Sequence, residues 1–141
     1  MLLRQLQQSF DAFDEAAAAR LGLNRTDLRC LDIVLGEGPL PAGQLSSALR
    51  LSPAATTTVI DRLERAGLVA RTRDPGNRRL VLVASTETAR AAEEQLFAPL
   101  GQAGAQALSF YTHDQLTVIQ DFLQTVLRVQ EEQTTRVAAL P

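Results

Sequence analysis

The chain has no lysine and no tryptophan, and only one cysteine, one histidine, one methionine and one tyrosine in 141 residues. Each scarcity removes a class of function. A lone cysteine and a lone histidine cannot build a metal centre or an intrachain disulfide, so neither a metal nor a cofactor is expected. A single histidine without a partner nucleophile or acid also argues against covalent catalysis. There is no glycine-rich phosphate loop, no nucleophile elbow and no carboxylate pair with a plausible partner, so the chain does not read as an enzyme. No apolar run approaches a membrane span. The amino-terminal MLLRQLQQSFDAFDE turns polar and acidic too soon for a secretory signal, and a cytoplasmic protein is the expectation. Aromatics are only 4% of the chain while Ala and Leu are abundant, which favours helices over a sandwich or barrel.

What the chain does have is arginine. All fourteen basic residues are Arg, in a chain of net charge −2. Arg50, Arg62, Arg65, Arg71, Arg73, Arg78 and Arg79 fall between positions 50 and 79, where they meet only Asp61, Glu64 and Asp74. That window is +4 and the rest of the chain is −6. A basic stretch on an otherwise acidic protein points to a local polyanion, and a nucleic-acid backbone is the natural one. The planar guanidinium fork suits phosphate and guanine alike.

A length of 141 residues makes one domain-sized unit. Leu3, Leu6, Phe10, Phe13 and Ala17 recur three and four apart and predict a first helix over about 2–20, ended by Gly22. Asn24 caps a second helix with Asp27 at its third position, lined by Leu28, Leu31 and Leu35 and closed by Gly36-Glu37-Gly38-Pro39. A short third helix follows at about 42–49, burying Leu45, Ala48 and Leu49. Ser52 as cap and Pro53 at the first helical position open a fourth helix over about 53–66. Its inward stripe reads Ala55, Val59, Leu63 and Ala66, and Gly67 supplies a left-handed stop. Leu68 and Val69 begin a strand that passes Arg71 and Arg73, turns at Asp74-Pro75-Gly76-Asn77 and returns through Leu80–Val83. Ser85 or Thr86 opens a fifth helix with a stripe at Ala89, Ala92, Leu96, Leu100 and Ala103, and Pro99, Gly101 and Gly104 are expected to kink or interrupt it. Thr112 and Gln115 form a capping box for a sixth helix to about 135, with Leu116, Ile119, Leu123, Val126 and Leu127 on one side. The first and last helices both carry hydrophobic seams that so small a chain cannot cover, and burial against a second copy is the simplest solution.

The fold class is therefore mainly α: a winged helix-turn-helix with a small β-hairpin wing, and amino- and carboxy-terminal dimerisation helices. Within a single domain over 1–141, residues 24–84 form the winged region, and 1–22 and 86–141 the dimerisation helices. A helix entering a major groove must present small or polar side chains so that it can approach base edges. Ala54, Thr56, Thr57, Thr58 and Asp61 are assigned to the outward face of the fourth helix. Ser52 and the free amides at the helix start form a phosphate seat, and Pro53 at the first helical position belongs to the same DNA-binding set. Arg62 and Arg65 lie near where such a helix would leave the groove. Arg73 lies on the wing, and Asn77, Arg78 and Arg79 at its tip reach toward a neighbouring minor groove.

At this point the chain resembles the MarR family (multiple-antibiotic-resistance-type regulators) of bacterial transcription factors. The resemblance runs from Asn24-Arg25-Thr26-Asp27-Leu28 to Leu127. Its most specific piece is LSPAATTTVIDRLERAGLVARTRDPGNRRLVLVAST, above all the run Asp61–Val69 followed by an arginine-rich wing and Ser85-Thr86. The resemblance implies a homodimer held by terminal helices, two winged modules reading a pseudo-palindromic operator in double-stranded DNA, and a repressor released by a small-molecule effector. It also implies an effector pocket between the dimerisation helices and the winged module, for which Phe13, Arg29 and Phe97 are candidates. Two departures stand out. The family usually has Asp-Arg-Arg at the wing tip where this chain has Asn77-Arg78-Arg79, leaving Asn77 or Asp74 as the brace. Thr58 stands where many members have Arg.

Two alternatives remain open: a winged-helix module for protein interaction with DNA binding lost, and a redox-responsive regulator built on Cys30. Peroxide-sensing relatives carry their reactive cysteine in the first helix, whereas Cys30 lies in the second among Leu28, Leu31 and Ile33. Apolar surroundings raise a thiol pKa, so Cys30 reads as structural. His113 reads as a surface or interface residue at a helix start.

Overall fold

A computed structural model describes residues 1–141. It divides into two compact units, Met1–Ala98 and Pro99–Pro141. The first takes in helix α1 (Leu2–Leu21), α2 (Arg25–Glu37), strand β1 (Leu40–Pro41), α3 (Ala42–Leu49), α4 (Pro53–Arg65), β2 (Val69–Arg73), β3 (Val81–Ser85) and the start of α5 (Glu87–Leu108). The winged region and the first helix thus fall in one compact body.

Local chemistry sets most of these boundaries. The Asn24 side chain accepts the Asp27 amide at 2.8 Å while Asp27 reaches back to the Asn24 amide, starting α2 with a reciprocal cap. Ser52 Oγ accepts the Ala55 amide, and Pro53 supplies the pre-set first turn of α4. Gly67 sits at φ +72 and ends α4, its left-handed backbone letting the Leu68 amide close on the Leu63 carbonyl. Thr86 Oγ1 accepts the Ala89 amide and opens α5.

The sheet is antiparallel in the order β1-β3-β2, with Val69 opposite Ser85, Arg73 opposite Val81 and Leu40 opposite Val83. The two-residue β1 was not expected: it is too short to carry an alternating pattern, and only pairing with Leu82 and Val83 defines it. Leu31, Val34, Leu45, Val59, Ile60, Leu63, Val69 and Val83 form the main core beneath the winged region. A smaller cluster of Ala17, Ala18 and Leu28 is flanked by Phe13, Leu96 and Phe97.

Helix α4 is turned relative to the expected stripe. Val59 and Leu63 are buried as expected, but Thr56 and Ile60 join them, while Ala55 is half-buried and Ala66 exposed. Helix α5 runs through Pro99, Gly101 and Gly104 without the expected interruption; a proline removes one amide hydrogen bond, and the neighbouring turns remain helical.

The second unit holds the end of α5 and α6 (His113–Ala138). The Thr112–Gln115 capping box forms as expected, and His113 is the exposed first residue of the helix. No residue of α6 is buried: Val118, Phe122, Leu123, Leu127 and Val137 all lie open. No helix is long and apolar enough to cross a membrane.

Candidate nucleic-acid interface

Helices α3 and α4 with the β2–β3 hairpin make a winged helix-turn-helix. Its second helix presents Ser52, Pro53, Ala54, Thr57 and Thr58 as exposed residues along its first two turns. The Thr57 hydroxyl donates to the Pro53 carbonyl at 3.0 Å, and that of Thr58 to the Ala54 carbonyl at 3.1 Å. With each proton spent on the backbone, both side chains offer a methyl group and an oxygen acceptor. A thymine methyl or an exocyclic amine is the complementary base feature.

Thr56 corrects the sequence assignment. It is fully buried rather than outward, donating to the Ser52 carbonyl at 3.0 Å and accepting the Ser46 hydroxyl at 2.8 Å. It joins the two helices of the motif, and its satisfied hydroxyl lets a polar residue sit where periodicity sought an apolar one.

The seven arginines separate by what holds them. Arg62 Nε and Nη2 donate to the buried Asp27 carboxylate, the shorter bond being 2.6 Å, so this guanidinium faces the second helix rather than standing free. Hydrogen bonding to Asp27 raises the Arg62 pKa. Arg71 bridges Asp61, at 2.6 Å, and Glu64, tying the base of the wing to α4; these hydrogen bonds and charges raise its pKa as well. Asp61, assigned outward, is therefore half-buried and engaged with the wing. Arg65 Nε caps the Asp61 carbonyl and Arg73 Nη1 the Arg78 carbonyl. Arg50, Arg78 and Arg79 have side chains with no partner in the protein. Intramolecular pairs absorb much of the local charge, and what remains free lies at the helix-turn-helix turn and the wing tip.

Both candidate braces act at that tip. Asp74 Oδ1 accepts the Gly76 and Asn77 amides, each at 2.7 Å, and Asn77 Oδ1 accepts the Arg79 amide at 3.2 Å. The neutral Asn77 thus holds the backbone carrying Arg79, and Asp74 shapes the turn.

The sequence and the fold are similar to those of known proteins. The chain matches the MarR family over residues 23–81. It is 36% identical over 135 residues to YcgE, an HTH-type transcriptional regulator of Bacillus subtilis (strain 168), covering 96% of this chain and 88% of that one. The chain belongs to the MarR family. It is a MarR-type transcriptional regulator with a DNA-binding helix-turn-helix. MdtR, an HTH-type transcriptional repressor of the same organism, is 27% identical over 95 residues, 67% of this chain and 61% of that one. The solved structure of a MarR family protein from Bacillus stearothermophilus matches with a TM-score of 0.72 at 25% identity, over 92% of this chain and 91% of that one.

The residues assigned to an effector divide between two places in this MarR chain. Phe13 and Phe97 meet edge to face, ring centres 5.4 Å apart, and fill their own apolar cluster. Arg29 instead lines a cavity of about 330 Å³ with Asp14, Arg25, Thr26, Leu28, Asp32, Leu49 and Leu51. Its Nη2 donates to the Ala48 carbonyl at 3.3 Å, and Arg25 is held by Asp11 at 2.6 Å. The Asp32 side chain is pushed up to about 6 by partial desolvation of its carboxyl and by the charges of Asp14 and Glu93. Cys30 is fully buried, and burial reinforced by Asp27 pushes its thiol up to about 11.

Proposed function

We propose that this MarR regulator is a homodimeric, sequence-specific repressor that small-molecule binding releases from a pseudo-palindromic operator. The observation that carries the DNA-reading part is the pairing of a groove-sized helix with free cations. Thr57 and Thr58 show only methyls and acceptors, while Arg50 at the turn before the helix and Arg78 and Arg79 at the wing tip are exposed and unpartnered. A protein-interaction module has no reason to hold such charge at two separate turns.

The dimer reading rests on apolar surface. Leu2, Leu3, Leu6 and Phe10 on α1 are exposed, as are Phe122, Leu123 and Leu127 on α6. Large apolar side chains left open in series are what a second copy buries. Twofold symmetry then sets two α4 helices into major grooves about one turn (~34 Å) apart.

The effector reading rests on the cavity beside Arg25 and Arg29, whose mixed lining suits a small amphipathic molecule carrying an acidic group. Leu49 and Leu51 flank the turn before α4, so an occupant there acts on the element that positions the reading helix. Differential affinity for two arrangements of that helix is what release requires.

Gel filtration with a shift assay on the DNA flanking the protein's own gene tests the reading. A dimer is expected, with retarded DNA and an affinity that falls steeply with salt as arginines displace counterions. A flat salt response, or undiminished binding by the Arg78→Ala/Arg79→Ala variant, would count against it.

A further inference from the structure

Four residues of the chain adopt positive φ, and three of them are glycines: Gly22, Gly38 and Gly67. The fourth is Arg50, at φ 54 and ψ 43. Its position demands that geometry. The Arg50 amide bonds the Ser47 carbonyl at 3.2 Å and the Leu51 amide the Ser46 carbonyl at 3.1 Å, a paired closure of α3 that needs a left-handed residue. Glycine adopts it without steric cost and asparagine with little; the Cβ of other residues, arginine included, crowds the following carbonyl oxygen there. The fold therefore bears strain at the turn of its helix-turn-helix. Yet the Arg50 side chain is exposed and has neither a hydrogen bond nor an ion pair to the rest of the protein. Strain retained without an internal contact to offset it points outward.

Outward from this turn lies the start of α4. Ser52, two residues on, caps that helix, and its first-turn amides favour an anion. We propose that Arg50 is a DNA-phosphate contact, clamping the backbone beside the half-site that α4 reads. This rests on the DNA-reading function above and adds to it a positioning contact at the amino-terminal end of the helix, separate from the arginines of the wing tip. The guanidinium contributes charge and register but no base discrimination.

The test compares the full-length protein with its R50G and R50K variants. The probe is a fluorescein-labelled duplex carrying the DNA that flanks the protein's own gene, titrated by anisotropy at several KCl concentrations, with thermal melts alongside. R50G is expected to melt no lower than the wild type, because glycine relieves the strained backbone. Its affinity is expected to fall about tenfold near 0.1 M salt, as befits loss of a charge-assisted hydrogen bond. The slope of log affinity against log salt should shrink by about 0.9 for each phosphate contact removed. R50K keeps the charge and should restore most of the slope. If R50G binds with unchanged affinity and slope, or loses affinity at unchanged slope, the phosphate assignment is overturned. A lower melting temperature for R50G overturns it too, since Arg50 would then serve the carbonyl end of α3. Failure of the wild type itself to bind any duplex at low salt would overturn the DNA-reading function, and this contact with it.

Discussion

Asp27 and Arg62, thirty-five residues apart, join the second helix to the DNA-reading helix through a two-armed ion pair whose carboxylate is 3% exposed and whose guanidinium is 36% exposed. The asymmetry of burial decides what each partner's loss would do. An Arg62 without Asp27 can turn to water. An Asp27 without Arg62 is a buried carboxylate left with only the Asn24 amide as a donor. Arg62→Met is therefore expected to destabilise the protein by about 2 kcal/mol, below the ~3–5 of a fully buried pair because one partner touches solvent. Asp27→Asn, which keeps an acceptor for the guanidinium, should cost less. Urea melts of both variants and their double mutant give the coupling; additive losses would show that the pair does not hold α4 in place.

Asp32 sets a pH dependence with a definite sign. Its folded carboxyl titrates near 6, against an ordinary value of 3.8. Between those values the folded chain holds a proton that the unfolded chain releases. This group therefore favours folding most at low pH, and that contribution is lost as the pH rises through 6. Asp32→Asn, neutral throughout, should melt higher than the wild type at pH 7.5, with the gap closing as the pH falls toward 4. Equal melting temperatures at pH 7.5 would show that neither burial nor the charges of Asp14 and Glu93 raise this carboxyl in the folded protein.

The sequence signals that proved reliable are those carried by neighbours in the chain. The Asn24–Asp27 and Thr112–Gln115 boxes, the Ser52-Pro53 start and the Gly67 stop each need only four or five residues to act, so their spelling reveals them. Thr56 escapes such a reading for the opposite reason. Its burial depends on Ser46, in a different helix, satisfying its hydroxyl, and hydrophobic periodicity is blind to a polar group that finds a partner. The same blindness hid the ties of Arg62 to Asp27 and of Arg71 to Asp61 and Glu64. Counting arginines gave the correct sign of the window but overstated the cations free to meet DNA. Arg50 left a different trace: an arginine where the helix stop would ordinarily read Gly or Asn.

The wing tip depends on one carboxylate oxygen. Asp74 Oδ1 takes both the Gly76 and Asn77 amides, fixing the turn that presents Arg78 and Arg79. Asp74→Ala should leave global stability within about 1 kcal/mol, because the turn is exposed. Hydrogen exchange at the 76–79 amides should nonetheless accelerate, and DNA affinity should drop as the two arginines lose their fixed placement. Asn77→Asp keeps the acceptor for the Arg79 amide and should bind DNA at least as well as Asn77→Ala. Unchanged exchange in Asp74→Ala would show that the Asp74 carboxylate does not hold the tip.

Cys30 separates a ligand-released regulator from a redox-released one. Its sulfur lies in the main core, and a thiol pushed up to about 11 is almost wholly protonated at neutral pH. Oxidation by peroxide proceeds through the thiolate and requires access, and the folded chain offers neither. The native protein should resist iodoacetamide and micromolar peroxide at pH 7.5, and react within minutes once unfolded in urea. Cys30→Ala should bind DNA normally while losing roughly 1–2 kcal/mol of stability to the cavity it leaves. Mass spectrometry that found Cys30 oxidised in the native protein, together with release of bound DNA, would make oxidation the releasing signal in place of a ligand.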